Sequence, residues 1–499
     1  MTESPKTFIR RLGLVGFSQT FVSLKGLIYL PILTRNLGAS DYGVWALILV
    51  TFAVLQPFII LGLNSPILRF LASQKKEKIV QGVITVVIVV LLTGTIASII
   101  LFLSSDIIAI NILKEPSAAY IIKIAAPFVI LDSLNTIILG SFRVFGMIKK
   151  LALVSIVKTF LEIGLIMLFI LFGFGLIGAI LSLMIAAVIS LIIMLFFIFS
   201  YAGVPRPDFL LLKPYLLFGI PLIPITLAQF VIEISDRYVV GFFMGAEKVG
   251  IYSAAYGIGI IPLGLSTYLV FLLGPTVYDL YDKGKIDKVK MYLSYSWKYL
   301  LMLSIPSAFG LSILAKSLLL NLTTTKFVSD GIYIIPLVVV SIVFYGMEQI
   351  FGVSLWIFKR RRIFFIAFVC AAVTNFTLNI IFVPRYGVIA AAVTTLIAYI
   401  ILTVITGYSS RRHFSFDLHL RFTMKCIIAS IGMTFCIWIL NPIHIISIVI
   451  SIILGIIIYF CLLLLLKGFK KKELQIIFDT VGLKKIYDKI DVSLNQIRK

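Results

Sequence analysis

Residues 175–200 read GLIGAILSLMIAAVISLIIMLFFIFS, a run without one charged side chain. A helix needs about 20 mostly apolar residues to cross a bilayer, so this stretch alone is long enough to span. Comparable runs recur from Leu12 to Leu466, separated only by short polar breaks. Hydrophobic residues make up 61% of the 499 positions and charged residues 13%, with a mean hydropathy of +1.13. No water-soluble fold hides that much apolar surface. The runs do not alternate polar and apolar as strands of a transmembrane barrel do. The expectation is therefore an all-α integral membrane protein of about fourteen transmembrane helices.

The spans fall at 12–34, 43–66, 79–104, 118–140, 151–172, 175–200 and 214–235, then 250–273, 294–319, 332–357, 362–383, 387–408, 422–441 and 443–466. The final split rests on Asn441, Pro442 and His444 making a tight turn, because 422–466 is too long for one span. The first run follows Lys6, Arg10 and Arg11, is about 22 residues long and contains Lys25. That pattern fits a retained first span better than a cleaved signal peptide.

The net charge of +23 would suggest nucleic acid in a soluble protein, but its placement along the chain points to the membrane instead. Lys and Arg in short loops are retained on the cytoplasmic side. With the N-terminus inside, one set of connections carries Lys6, Arg10 and Arg11; Arg69, Lys75, Lys76 and Lys78; Arg143, Lys149 and Lys150; Arg206 and Lys213; Lys283, Lys285, Lys288 and Lys290; Lys359 to Arg362; and Arg411, Arg412, Arg421 and Lys425. The other set has Arg35, Lys114, Arg237, Lys248, Lys316, Lys326 and Arg385, a bias of more than threefold. Both termini are expected in the cytoplasm, in a cell inner membrane. Cys370, Cys426, Cys436 and Cys461 stand singly in apolar runs, which argues for packing and against a metal site or a disulfide framework.

An internal repeat shapes the domain organisation. Leu37-Gly38-Ala39-Ser40-Asp41-Tyr42-Gly43-Val44-Trp45 follows the first span, and Met244-Gly245-Ala246-Glu247-Lys248-Val249-Gly250-Ile251-Tyr252 follows the seventh. Gly175-Leu176-Ile177-Gly178-Ala179 similarly pairs with Gly387-Val388-Ile389-Ala390-Ala391. Six spans repeated in one orientation imply two parallel lobes, a cavity between them and rocking-bundle alternating access. The expected units are lobes at 1–205 and 206–410, two added helices at 411–466 and a basic tail at 467–499. In the tail, Leu483, Ile486, Tyr487, Ile490, Leu494 and Ile497 share a helical face, suited either to the inner leaflet or to a solvated segment that only fixes topology. Gly173, Gly175 and Gly178 spell GxGxxG, but they sit in a turn between spans with no strand before them, which excludes a dinucleotide site. They serve turning and close helix packing.

Three stretches resemble one family: Thr34-Arg35-Asn36-Leu37-Gly38-Ala39-Ser40-Asp41-Tyr42-Gly43; Asp236-Arg237-Tyr238 leading to Gly245, Gly250 and Tyr252; and Pro384-Arg385-Tyr386-Gly387 ahead of Ala390-Ala391-Ala392. Together they resemble the polysaccharide-exporter family of O-antigen and capsule repeat-unit flippases, over nearly the whole chain. Its superfamily also holds multidrug and toxin extruders and the lipid II flippase. The resemblance implies translocation of an undecaprenyl-pyrophosphate-linked oligosaccharide from the cytoplasmic to the outer leaflet, with two six-helix lobes around a cationic cavity. The partners that go with it are the lipid-linked oligosaccharide, membrane lipids, a coupling ion (H+ or Na+), and a polysaccharide polymerase with its chain-length regulator. Nucleic acid, cofactors and metals are not expected.

Ionisable residues inside spans are costly and therefore functional candidates. Lys25 lies mid-span with Ser18 and Tyr29 on its face, and is expected to hold pyrophosphate away from bulk water, where Coulomb attraction is stronger. Lys158 and Glu162 stand four apart on the fifth span, either as a self-neutralising pair or as an ion-linked exchange of partners. Arg69 and Arg143 lie at cytoplasmic span ends, where they meet incoming substrate or simply set topology. Gln229, Glu233 and Arg237 stack along the seventh span with Asp236 adjacent, near its outer end, where partial exposure suits a gate or a turn-fixing role. Glu348, with Tyr345 and Gly352 on its face, carries a coupling ion or packs helices; Asn375 and Asn379 are helix glue or sugar contacts. A membrane polymerase or ligase would need a large external loop with a catalytic constellation, which the short breaks do not supply. A multidrug exporter would share the architecture but would favour acids and aromatics where a pyrophosphate favours bases.

Overall fold

A computed structural model describes residues 5–71, 74–203, 206–358 and 360–469. The amphipathic face expected at 483–497 lies outside the described residues. In chain order the helices are α1 Pro5–Ile60, α2 Asn64–Leu71, α3 Lys76–Leu103, α4 Ala118–Ala125, α5 Phe128–Val144, α6 Ile148–Leu171, α7 Gly175–Ala202, α8 Leu212–Gly219, α9 Ile223–Met244, α10 Ala246–Gly259, α11 Leu263–Asp282, α12 Ile286–Leu322, α13 Val328–Ile357, α14 Arg361–Tyr386, α15 Val388–His413, α16 Leu420–Leu440 and α17 Ile445–Leu465, with short helical turns between some of them.

Thirteen helical segments among the described residues are long and apolar enough to cross a membrane. The first of these hides two. At about 1.5 Å per residue, the 56 residues of α1 would far exceed the roughly 30 Å hydrocarbon core. Its run is broken at Gly38, whose φ of 77° and ψ of −176° belong to a region that only glycine adopts freely. Lys25 before the break and Gln56 after it reach the same polar cluster, as they can only if the two arms lie side by side. Divided at Gly38, the thirteen segments become fourteen helical segments.

The expected eighth span, 250–273, is interrupted. Helix α10 stops at Gly259 and α11 restarts at Leu263, after Pro262, because proline cannot donate to the ladder and its ring crowds the preceding turn. The ninth is longer than expected, running from Ile286 to Leu322. The last split stands where Asn441 places it: that residue takes a left-handed conformation with φ of 37° between α16 and α17.

The repeated motifs share backbone geometry. Gly245 has φ of 81° and ψ of 177°, nearly the values at Gly38. Gly387 caps α15 with φ of 72°, and its counterpart Gly175 opens α7 with φ of 52°. The repeats also touch each other reciprocally. A Cβ on Gly43 would stand 1.8 Å from the carbonyl oxygen of Ala246 and 2.9 Å from the nitrogen of Gly250, while one on Gly250 would stand 2.0 Å from the oxygen of Ala39 and 3.1 Å from the nitrogen of Gly43. Backbone meets backbone here, so neither side can yield. Gly43→Val and Gly250→Val are each expected to cut the yield of folded protein at least severalfold, whereas Gly26→Ala, where the added carbon meets nothing within 4 Å, should leave it unchanged. Fluorescence-detected size exclusion of the full chain checks this, and a normal Gly43→Val peak would refute the close approach.

The glycines of the GxGxxG stretch turn and pack as their spacing suggested. Gly173 has φ of 80°, and a Cβ on Gly178 would crowd the Cβ atoms of Phe174 and Phe169 at 2.6 and 2.8 Å.

Candidate functional site

Polar side chains from α1, α5 and α6 meet inside the apolar bundle. The Lys25 ammonium donates to Glu162 Oε2 at 2.8 Å, and the Tyr29 hydroxyl one turn later donates to the same oxygen at 2.7 Å. Lys158 stands 3.9 Å from Glu162 Oε1 and 3.8 Å from Asp132 Oδ1. From the other arm of α1, Gln56 Nε2 donates to Asp132 Oδ2 at 3.1 Å and reaches Thr136 at 3.2 Å. Lys158 thus bridges the two carboxylates, and Lys25 ties α1 to Glu162, so the cluster joins three helices.

Exposure separates the members. The Glu162 side chain is 4% exposed, while Lys25 and Asp132 are each 33% exposed and Lys158 is 20% exposed. Glu162 is thereby a fixed base plate on which Lys25 is held, and both lysines keep an open side. A carboxylate left alone at such depth would cost several kcal/mol; here each acid has a cation and a hydrogen-bond donor. The charges cancel when the site is empty. An incoming anion meets two preassembled ammonium groups whose present partners it can replace, in surroundings where charge is screened less than in water.

Lys25 is held by Glu162, whereas Glu348 lies in another part of the molecule. Lys158 and Glu162 do not form a closed pair, because Lys158 is shared with Asp132. Asp132 and Gln56 were missed, although an acid at position 132 lies within the expected span 118–140 and the rule that flags intramembrane charge applies to it equally.

Arg143 is exposed and stands apart from this cluster. Arg69 lies over the rings of Phe218, at 4.7 Å, and Phe70, at 5.8 Å, while Phe70 stacks on Tyr215 at 5.7 Å. Beside them a Cβ on Gly62 would stand 2.3 Å from the Gly219 oxygen. The first and second halves of the chain therefore touch at the Gly62 end as well as at the Gly38 end, and Arg69 belongs to that contact.

Partial exposure of the Asp236 region is not what the structure has. Asp236 is fully buried and Arg237 is 9% exposed. The Arg237 guanidinium donates to Asp236 Oδ1 at 3.3 Å and to the backbone oxygen of Glu233 at 2.9 Å, and it lies 4.4 Å from the Tyr256 ring. The Tyr252 hydroxyl donates to Asp236 Oδ2. Four groups thus lock α9 to α10 around the Gly245 turn. Glu233 turns the other way, accepting from Gln229 at 2.9 Å, and Gln229 also donates to the Tyr345 hydroxyl at 2.9 Å. Asn379 donates to Asn375 at 3.1 Å and accepts from Thr394 at 2.7 Å, which makes the pair helix glue between α14 and α15.

A second feature is apolar. Helices α11, α12, α16 and α17 enclose a groove of 570 Å³ lined by Leu265, Pro306, Gly310, Met433, Gly455 and Phe460 among others. The two final helices form one of its walls.

Comparison with known proteins places this arrangement. Two curated proteins of Haloferax volcanii match: the probable flippase AglR, 31% identical over 170 residues (33% of this chain and 34% of that protein), and the probable low-salt glycan biosynthesis flippase Agl15, 22% identical over 173 residues (35% and 36%). The chain spans about a third of the length of these relatives. Among solved structures, the lipid II flippase MurJ in an inward closed conformation superimposes with a TM-score of 0.73 at 18% identity, covering 94% of this chain and 99% of that one. An inward-facing multidrug resistance MATE family transporter gives 0.67 at 17%, covering 79% and 94%. At these identities the structural likenesses establish the fold. The model of the family described as "Polysaccharide biosynthesis protein" matches residues 10–278, more than half of the sequence, and the chain belongs to that family.

Proposed function

We propose that the protein is a flippase that moves a lipid-linked oligosaccharide, joined through pyrophosphate, between leaflets of the cell inner membrane by alternating access. The observation that carries this reading is the pair of partly exposed lysines, Lys25 and Lys158, held on Glu162 and Asp132 inside a membrane bundle. A diphosphate offers several anionic oxygens, enough to engage both ammonium groups at once through charge-assisted hydrogen bonds. A multidrug exporter of the same fold would present acids and aromatics without free-sided lysines. The groove beside α16 and α17 suits the polyprenyl chain, since its lining is almost wholly apolar. Proteoliposomes supplied with polyprenyl-diphosphate oligosaccharide test the reading: wild-type protein should expose the glycan to an outside lectin or glycosidase, and no transfer by well-folded protein would overturn it.

The reciprocal approach of Gly43 and Gly250 supports two parallel lobes, at 1–205 and 206–410, with 411–466 as added helices. In a two-fold relation residue i meets j′ while i′ meets j, which is the pattern of Gly43 with Ala246 and Gly250 with Ala39. The loop charges support cytoplasmic termini, with the basic tail at 467–499 inside. Cysteine placed at Lys114 should react with an impermeant reagent on intact cells and cysteine at Lys359 should not; the opposite result would refute this orientation. Transport in this reading is driven by H+ or Na+, and its product feeds a polysaccharide polymerase and chain-length regulator. Glu162 exchanges partners when the diphosphate arrives, Arg69 and Arg143 act at the entry side, and Glu233, Asp236 and Arg237 fix the geometry of the second half.

A further inference from the structure

Helix α5 has two polar faces, and they are built differently. On the buried face Asn135, 3% exposed, uses its whole amide for helix packing. Its nitrogen donates to the oxygens of Leu131 and Ala187 at 2.8 and 3.0 Å, and its carbonyl accepts from Ser190. On the other face Asp132, Thr136, Gly140 and Arg143 follow one another at helical spacing. They are partly exposed as far as Gly140 and exposed at Arg143, whereas Ser133, Leu134, Ile137, Ile138 and Ser141 beside them are buried. Polar and charged groups within a span face the bundle interior or a water-filled space. Partial exposure selects the second.

The second arm of α1 lies along this open face. The Gln56 amide nitrogen donates to Asp132 Oδ2 at 3.1 Å and to Thr136 Oγ1 at 3.2 Å, and the Thr136 hydroxyl donates to the Asp132 backbone oxygen at 2.9 Å. Gln56 Oε1 has no hydrogen-bond partner among the described residues. Asp132 is also the acid that Lys158 shares, at 3.8 Å, so the row begins at the lysine cluster. Further along, a Cβ on Gly140 would meet only Asn64 Oδ1 of α2, at 3.7 Å. That is an ordinary contact, so packing does not demand glycine there, and the bare backbone leaves width in the row. From Asp132 to Arg143 the row is about 16 Å long at 1.5 Å per residue. A sugar hydroxyl both donates and accepts, and it is matched by uncharged amide and hydroxyl groups standing side by side.

We propose that this row is a glycan shelf, on which Gln56, Thr136 and Asn64 hold the first sugars of the lipid-linked oligosaccharide while Lys25 and Lys158 hold its diphosphate. The shelf selects a glycosylated carrier over a bare one. The proposal rests on the flippase reading for the identity of the ligand, but the selection itself is measured by binding, without transport. The order of groups along the row follows the order within the ligand. The diphosphate adjoins the first sugar, and Asp132 adjoins both Lys158 and Gln56. Gly140 gives a sugar ring room beside Asn64.

The test uses purified full-length protein and displacement of a fluorescent polyprenyl diphosphate by two competitors. One is polyprenyl-diphosphate oligosaccharide purified from the native membranes, and the other is sugar-free polyprenyl diphosphate. Wild type should bind the glycosylated competitor more tightly by about fivefold or more, the combined effect of two hydrogen bonds. Gln56→Leu with Thr136→Val should abolish most of that ratio, and Thr136→Ser, which keeps the hydroxyl, should retain it. Gly140→Leu should lower the ratio by filling the shelf, with Gly140→Ala as its folding control. Lys25→Ala should weaken both competitors to a similar extent. Equal affinity of wild type for the two competitors would overturn the proposal, as would an unchanged ratio in the double variant or in Gly140→Leu. Failure of wild type to transfer the oligosaccharide in proteoliposomes, with the glycan preference intact, would count against the flippase reading and leave the shelf standing.

Discussion

Lys25→Ala is expected to reduce export of the lipid-linked oligosaccharide by one to two orders of magnitude at unchanged protein level. A charge-assisted hydrogen bond contributes about 1.5–3 kcal/mol, and about 1.4 kcal/mol is tenfold in an equilibrium constant, which gives that range. The substitution also frees Glu162, but Tyr29 and Lys158 remain on it at 2.7 and 3.9 Å, so the fold should survive. Lys25→Arg should retain part of the activity, since the charge stays while the compact ammonium that fits between Glu162 and Tyr29 is exchanged for a wider fork. Complementation of a deletion strain, with membrane abundance measured by immunoblot, provides the readout. Normal export by Lys25→Ala at wild-type abundance would move the anion site to Lys158 or remove it altogether.

Arg237→Ala should destabilise the protein by about 3–5 kcal/mol, the usual consequence of leaving a buried charge unpaired. Asp236 is fully buried, and without the guanidinium only the Tyr252 hydroxyl and a backbone amide face its carboxylate. Against a total stability of about 5–15 kcal/mol for a typical domain, such a loss should lower the yield sharply and shift the thermal midpoint downward by several degrees or more. The double change Asp236→Asn with Arg237→Met should recover much of it, because no unpaired charge remains. Thermal denaturation followed by size exclusion compares the three proteins. An Arg237→Ala midpoint equal to wild type would show that the pair contributes nothing to holding α9 on α10.

The sequence by itself determined the class of protein and many of the places where the chain turns. These are local matters. Whether residues 175–200 enter a bilayer depends on their own transfer free energy, and whether Gly38 and Gly245 break a helix depends on their own φ and ψ. The match between two glycine motifs was legible for the same reason. Intramembrane charge also announced itself at Lys25, Lys158, Glu162 and Glu348 without any knowledge of packing.

Only the tertiary structure decided which of those charges meet. Lys25 and Glu162 are 137 positions apart, and nothing in the spacing of the chain selects Glu162 over Glu348; the packing of α1 against α6 does. The same packing recruited Asp132 and Gln56, turned Asp236 and Arg237 inward from the exposed end where spacing placed them, and buried one oxygen of Glu348 without a hydrogen-bond partner. A helical sequence states which residues share a face, but the neighbour that face meets is set by small residues such as Gly43 and Gly250, where two backbones close to contact. That choice is a property of the whole bundle, because the burial of any one charge depends on every helix around it.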